Sequence, residues 1–204
     1  MTMSTTDVAF TASVKALQAR KGSRASYAKL EQRGGWDTRV TPELAEFLAK
    51  RDSFYLATAN ANGKPYIQHR GGPRGFLRVL DERTLAFADF RGNRQYITLG
   101  NLAENDRAFI FLMDYARQRR LKIWGCARAA EDDPSLLEEL ADPAYPGRSE
   151  QAIVFTIEAW DTNCPQHIPQ RFDTADVKTA IDELQVRIMA LEKENAALRE
   201  RLDV

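Results

Sequence analysis

Cysteine and histidine are scarce in this chain, and each scarcity excludes something. Cys126 and Cys164 are the only cysteines in 204 residues, too few for a disulfide framework. His69 and His167 are the only histidines. Two of each complete no zinc spacing. Cys164 and His167 stand three apart, but Pro165 lies between them and no second pair accompanies them. Net charge is also lacking, since 29 basic side chains face 29 acidic ones. Global charge therefore gives no argument for nucleic acid or an anionic membrane as partner. No apolar run approaches a membrane span, and Met1 to Val8 lacks the basic-then-apolar order of a signal peptide. A cytoplasmic protein that binds neither nucleic acid nor membrane is the expectation. A Walker loop and a dinucleotide fingerprint are both missing.

What is present is a series of short strand-like runs. Met1 to Thr6 reads as disordered. Asp7 to Gln18 has helical spacing through Phe10, Val14 and Leu17. Thr41 is an N-cap candidate with Pro42 at the first helical position, and the apolar face that follows is Leu44, Phe47 and Leu48. Ser53 to Ala59 reads as a strand. Asn62-Gly63 is a tight-turn signal, so Pro65 to Gln68 is expected to return antiparallel. Phe76 to Leu80, Thr84 to Phe90, Ala108 to Met113, Leu121 to Ala127 and Ala152 to Trp160 read as further strands. Short helices are expected at Asn93 to Leu99 and Ser135 to Leu140. Many short strands with few long helices point to a mainly β fold closed into a barrel.

The tail has a different pattern. Ile181, Leu184, Ile188, Leu191, Asn195, Leu198 and Leu202 recur at alternating spacings of three and four. That is a heptad seam, with Asn195 at one seam position. Two readings are open: a partner helix in a coiled coil, or an amphipathic helix folded back on its own barrel.

Three places combine cations or glycines with strand-like runs. Arg70 precedes Gly71-Gly72, Arg91 and Arg94 flank Gly92-Asn93, and Arg119, Arg120 and Lys122 lead to Gly125. Arginine's planar fork suits phosphate, and glycine permits close backbone approach. Arg70 and Arg94 are the phosphate candidates. The alternative is a surface ion pair with a carboxylate such as Asp89 or Glu82. Gly71-Gly72 reads equally as a hairpin turn, and Trp160 as a stacking platform or a core residue.

The segments Pro65 to Pro73, Phe87 to Arg94, Arg119 to Gly125 and Trp160 to Pro169 together resemble the pyridoxamine 5'-phosphate oxidase-related family of FMN-binding split barrels. The resemblance covers about Thr41 to Phe172. It implies a split barrel with flanking helices over residues 41–172; residues 1–40 before it read as an N-terminal helical extension, and residues 173–204 after it, by their heptads, as a C-terminal coiled-coil helix that the family pattern does not include. It implies FMN as cofactor, held at a homodimer interface with basic residues on its phosphate, and a small-molecule substrate. Gln68, His69, Arg70 and Gly71 would run along the flavin edge. Asn93, Arg94 and Gln95 fall where the authentic oxidases carry Ser-Arg-Lys, which makes Arg94 the phosphate arginine. Phe87 and Ala88 are carried over as cofactor-binding with that segment. Arg120 falls where the oxidases have a Gln near the flavin, and Trp160 near a Trp close to the isoalloxazine. No catalytic residue is implied. The function implied is an FMN-dependent oxidoreductase, or alternatively a flavin or haem carrier without turnover.

Overall fold

A computed structural model of the protein describes residues 4–163 and 165–202. Cys164 lies outside them, as do the first three residues of the stretch expected to be disordered. Ser4 to Thr6 is ordered: a 3-10 turn, Thr5–Val8, follows a capping box made by Ser4 and Asp7, and Thr6 is fully buried. The first helix, α1 (Ala12–Lys21), starts later than Asp7 because Thr11 caps it, accepting from the Val14 N–H at 3.3 Å. Gly22 ends it with φ of +84°, a value glycine adopts without a Cβ penalty. Helix α2 (Arg24–Gln32) follows. Helix α3 (Pro42–Ala49) carries the expected cap, with Thr41 accepting from Leu44 N–H at 3.2 Å, and buries Leu44, Phe47 and Leu48.

Seven strands form one antiparallel sheet: β1 (Ser53–Ala59), β2 (Pro65–Gly71), β3 (Arg78–Val79), β4 (Thr84–Phe90), β5 (Arg107–Asp114), β6 (Arg119–Ala130) and β7 (Ser149–Asn163). Helix α4 (Ile97–Glu104) joins β4 to β5, and α5 (Pro134–Leu140) joins β6 to β7. The strand order is β2-β1-β5-β6-β7-β4-β3. Phe54, Leu56 and Thr58 of β1 alternate with more exposed neighbours, and so do Ala108, Ile110 and Leu112 of β5, the period-two pattern of a sheet with one buried face.

The expected closed barrel is not what forms. Among the described residues the sheet has two edges, β2 and β3, and no ladder joins them. The chain stretch read as a strand at Phe76 to Leu80 supplies only two strand residues. Phe76 and Leu77 are buried in the core instead, beyond a turn where Gly75 has φ of +79° and donates its N–H to Arg51 C=O at 2.7 Å. The sheet nevertheless curls. Phe54 of β1 meets Phe87 of β4 edge-on at 5.0 Å, although the two strands stand far apart in the pairing order. These rings, with Phe76, Leu85, Ile110, Ile123 and Phe155, form the main core.

The chain divides into two compact units. The first holds the N-terminal helices and nearly all of the sheet. The second comprises Tyr115–Arg119 and the segment from Pro165 onward. In that second unit Gln118 Nε2 donates to Ile168 C=O at 2.7 Å, and Arg171 lies over the Tyr115 ring. His167 stands there with φ of 63°. Its long helix, α6 (Thr174–Leu202), buries no residue. The paired coiled coil expected of the heptad seam is not found: Ile181, Leu184, Ile188, Leu191, Leu198 and Leu202 are all exposed. A seam specifies an apolar stripe, and the stripe does not itself supply a second helix.

Candidate functional site

The first unit has a cleft where the two ends of the curled sheet approach each other. Tyr66, Gln68 and Arg70 of β2 line one side. Asp89 and Phe90 of β4, the 92–96 loop, the first turn of α4, and Glu150 of β7 line the other. The strand period explains the first wall. Tyr66, Gln68 and Arg70 share one face of β2, while Ile67 and His69 take the opposite, exposed face.

Thr98 and Asp89 fix the orientation of that wall. Thr98 Oγ1 donates to Gln68 Oε1 at 2.9 Å, so the Gln68 amide has its NH2 end left for the cleft. Thr98 is buried, and α4 is held in place by Asn101 Nδ2 donating to Thr58 Oγ1 at 3.0 Å. Arg70 donates through Nη1 to Asp89 Oδ1, and its guanidinium lies over the Phe87 ring. Asp89 Oδ2 accepts from Gln151 Nε2 at 3.1 Å; those two residues are direct cross-strand partners. The Arg70 Nε is buried with no hydrogen-bond partner, a costly state for a charged donor.

The opposite lip is a strained loop. Arg94 and Tyr96 have φ of 61° and 53°, a region non-glycine residues rarely adopt and which clusters at ligand clamps. Asn93 Oδ1 accepts from Gln95 N–H at 3.3 Å, and Arg94 Nε donates to Tyr96 Oη at 3.3 Å. That bond pushes the Arg94 pKa further up, so the guanidinium stays cationic. Tyr96 precedes α4 without a side-chain cap, leaving the helix's first-turn N–H groups toward the cleft lip. Arg91 is paired with Glu150 at 3.5 Å. An arginine at each wall, amide donors and a helix N-terminus make a donor set suited to an anionic group.

The structure brings Gln68, Arg70, Asn93 and Arg94 to this cleft and places the other expected site residues elsewhere. His69 packs on Tyr55 on the outer face, with ring centroids 5.5 Å apart. Gly71 ends β2 opposite Ser53. At Gly72 a Cβ would meet the Phe76 ring at 2.6 Å, so that glycine makes room for a core side chain. Phe87 and Ala88 are buried in separate clusters on the two faces of β4. Trp160 is a core residue whose Nε1 donates to Arg39 C=O at 2.8 Å. Arg120 sits on β6 opposite Asn163, its Nε buried without a partner. Among the described residues no cluster of three or more His, Cys, Asp or Glu is placed to hold a metal ion. Sequence reasoning does not single out Thr98, Gln151 or Glu150. Thr98 carries a signal, a hydroxyl at the start of an otherwise apolar helical run, whereas the part played by Gln151 depends on cross-strand register.

The sequence profile described as Pyridoxamine 5'-phosphate oxidase matches residues 40–164. The chain belongs to that family. The match spans the whole cleft and all seven strands. HupZ of Group A Streptococcus, solved in a variant and a parent form, is similar at 19% and 18% identity, each with a TM-score of 0.50. Those similarities cover 61% and 65% of this chain and 99% of HupZ. A crystal structure described as an FMN-binding protein from Syntrophomonas wolfei is 16% identical, with a TM-score of 0.46, over 72% of this chain and 97% of that one. The HupZ likeness speaks to fold alone. No curated protein matches the chain. No helix among the described residues is long and apolar enough to cross a membrane.

Proposed function

We propose that this member of the family is an FMN-binding flavoprotein, an oxidoreductase acting on a small molecule. The observation that carries the reading is the cleft between β2 and the 92–99 segment, where Gln68, Arg70, Asn93 and Arg94 converge. A buried, unpartnered Arg70 Nε and an uncapped α4 fit a phosphate group, so these residues are assigned to the phosphate of FMN. The bound flavin would supply the electron chemistry, and the chain would supply position and charge. Arg94 would bind the phosphate directly, Arg70 would hold it from the sheet, and Gln68 would donate its amide NH2.

A second reading, a flavin or haem carrier without turnover, is favoured by one feature. Both carboxylates lining the cleft are ion-paired, Asp89 with Arg70 and Glu150 with Arg91, so neither is poised as a general base. Absorbance of the purified protein in the flavin bands tests the first claim; colourless protein that takes up no FMN sinks it. Rapid reduction of bound flavin by NADH or NADPH, then reoxidation by an acceptor, decides for the oxidoreductase over the carrier. The homodimer implied by the resemblance belongs to the same proposal. Its support is the outer sheet face, where Ile67 and Tyr55 are exposed, and light scattering at the mass of one chain would dismiss it.

A further inference from the structure

Asp89 is an anion built into the wall of a cleft that is assigned an anionic ligand. Its side chain is only 10% exposed and lies against the Arg70 guanidinium, itself only 11% exposed. Gln151, directly opposite on β7, holds the second carboxylate oxygen at 3.1 Å. The carboxylate is therefore fixed from two strands and cannot swing away when a ligand arrives. Asp89 lines the cleft alongside Arg70, Asn93 and Arg94. It occupies one terminal nitrogen of Arg70 and offsets its charge.

We propose that Asp89 is the affinity-setting residue of this cleft: an internal carboxylate that competes with the ligand's phosphate for Arg70 and keeps phosphate binding weaker than the arginines alone would make it. The proposal rests on the assignment of the FMN phosphate to this cleft. Three features distinguish it from a purely structural ion pair. The pair lies in the cleft wall, not beneath it. The carboxylate is held by Gln151 independently of Arg70. The neighbouring Glu150 is already matched by Arg91, so removing the Asp89 charge leaves Arg70 and Arg94 as a net positive pair facing the ligand. The Coulomb interaction between two charges several ångströms apart at a protein surface is large enough to matter.

The experiment is a fluorescence titration of the full-length apo-protein with FMN and, separately, with riboflavin, which lacks the phosphate. The forms compared are wild type, Asp89→Asn, Arg70→Gln and the double variant. Asn retains the shape and an acceptor for Gln151. Asp89→Asn is expected to bind FMN about tenfold tighter than wild type and to leave riboflavin binding unchanged. Arg70→Gln is expected to weaken FMN binding, and the double variant, which leaves no lone buried charge, to bind FMN more tightly than Arg70→Gln alone. Should the single Asp89 variant fail to fold, the double variant against Arg70→Gln decides through the riboflavin arm: affinity for FMN must rise and affinity for riboflavin must not, whereas relief of a lone buried charge in a purely structural pair raises both alike. Asp89→Asn that weakens FMN, or that changes FMN and riboflavin equally, overturns the proposal while the cleft assignment stands. Wild-type protein that binds FMN no tighter than riboflavin overturns both.

Discussion

Arg70 and Asp89 stand near opposite ends of the strand order, on β2 and β4, yet their side chains form an ion pair. Among the described residues no backbone ladder links those ends, so the contact depends on how far the sheet curls around Phe54 and Phe87. The core thus sets the width of the cleft. The pair is nearly enclosed, and burying two charges costs solvation that only good geometry offsets. Gln151 supplies part of that geometry. Removing one partner alone leaves a lone buried charge, which the double substitution avoids.

Arg94→Ala is expected to weaken FMN binding by about tenfold to a hundredfold, the range for losing a charge-assisted hydrogen bond. Arg94 is exposed on a loop, so the thermal midpoint should stay within error. Arg94→Lys should recover part of the loss, because charge returns without the fork. Equal FMN affinity in all three proteins would remove Arg94 from the site.

Thr98→Val is expected to cost about 1 kcal/mol of stability and to weaken FMN binding by several-fold. The Thr98 hydroxyl is buried and donates to Gln68 Oε1. Without it nothing dictates which end of the Gln68 amide meets the cleft. Thr98→Ser keeps the hydroxyl and should keep the affinity, at a small packing cost. A Val variant with lower stability and unchanged affinity would show that Thr98 only packs.

How much of this is legible in the sequence depends on whether the signal is local. The bounds of β1 and β4 and the Thr41 cap follow from alternation and capping within a few residues. The Arg70 to Asp89 pair appears there only as one of two readings, because choosing between phosphate and carboxylate requires the distance between two strands. Trp160 offers the same choice, and its bond to Arg39 C=O places it in the core. Strand count suggests a barrel, but closure needs a full edge partner, and the Gly75 turn leaves only Arg78–Val79. The tail's heptads likewise describe one helix and cannot describe a second.

Gly125→Ala is expected to destabilise the fold by at least about 1–3 kcal/mol, the cost of overpacking. Gly125 sits on β6 where register with β7 shifts after Trp124, the extra residue, Glu158, lying on β7. A Cβ there would meet the Thr156 carbonyl oxygen at 2.0 Å and the Phe155 ring at 2.7 Å. Backbone cannot yield as a flexible side chain does. Gly92→Ala is the control, since nothing lies within 4 Å of the point where its Cβ would stand. Urea unfolding compares the two; equal midpoints would mean that β7 shifts at little cost.

Acid is expected to loosen the N-terminal segment before the sheet. Lys15 binds Asp7 at 2.6 Å and Glu31 at 3.4 Å, and Arg24 pairs with Glu31. The hydrogen bond from Lys15 holds the Asp7 carboxyl below the usual range, helped by the Ser4 N–H. Burial pushes Glu31 up, but Arg24 and Lys15 outweigh it and bring its pKa down. Both groups are depressed by folding, so their contribution is complete above the ordinary carboxylate pKa. It is lost as pH falls through the lower folded values. Lys15 is raised, chiefly by Asp7, so its contribution is present throughout the acid and neutral range. The segment should therefore loosen below about pH 4 while the sheet core persists. Trp36 reports this, because its backbone N–H donates to Thr5 Oγ1 at 2.7 Å and its ring stacks on Trp124 at 4.7 Å. Its fluorescence should change in acid before far-ultraviolet circular dichroism does. Lys15→Met should move that early transition to higher pH, since Asp7 then loses the main group depressing it. Coincident transitions in wild type, or an unmoved fluorescence transition in Lys15→Met, would show that the cluster does not govern docking of the segment.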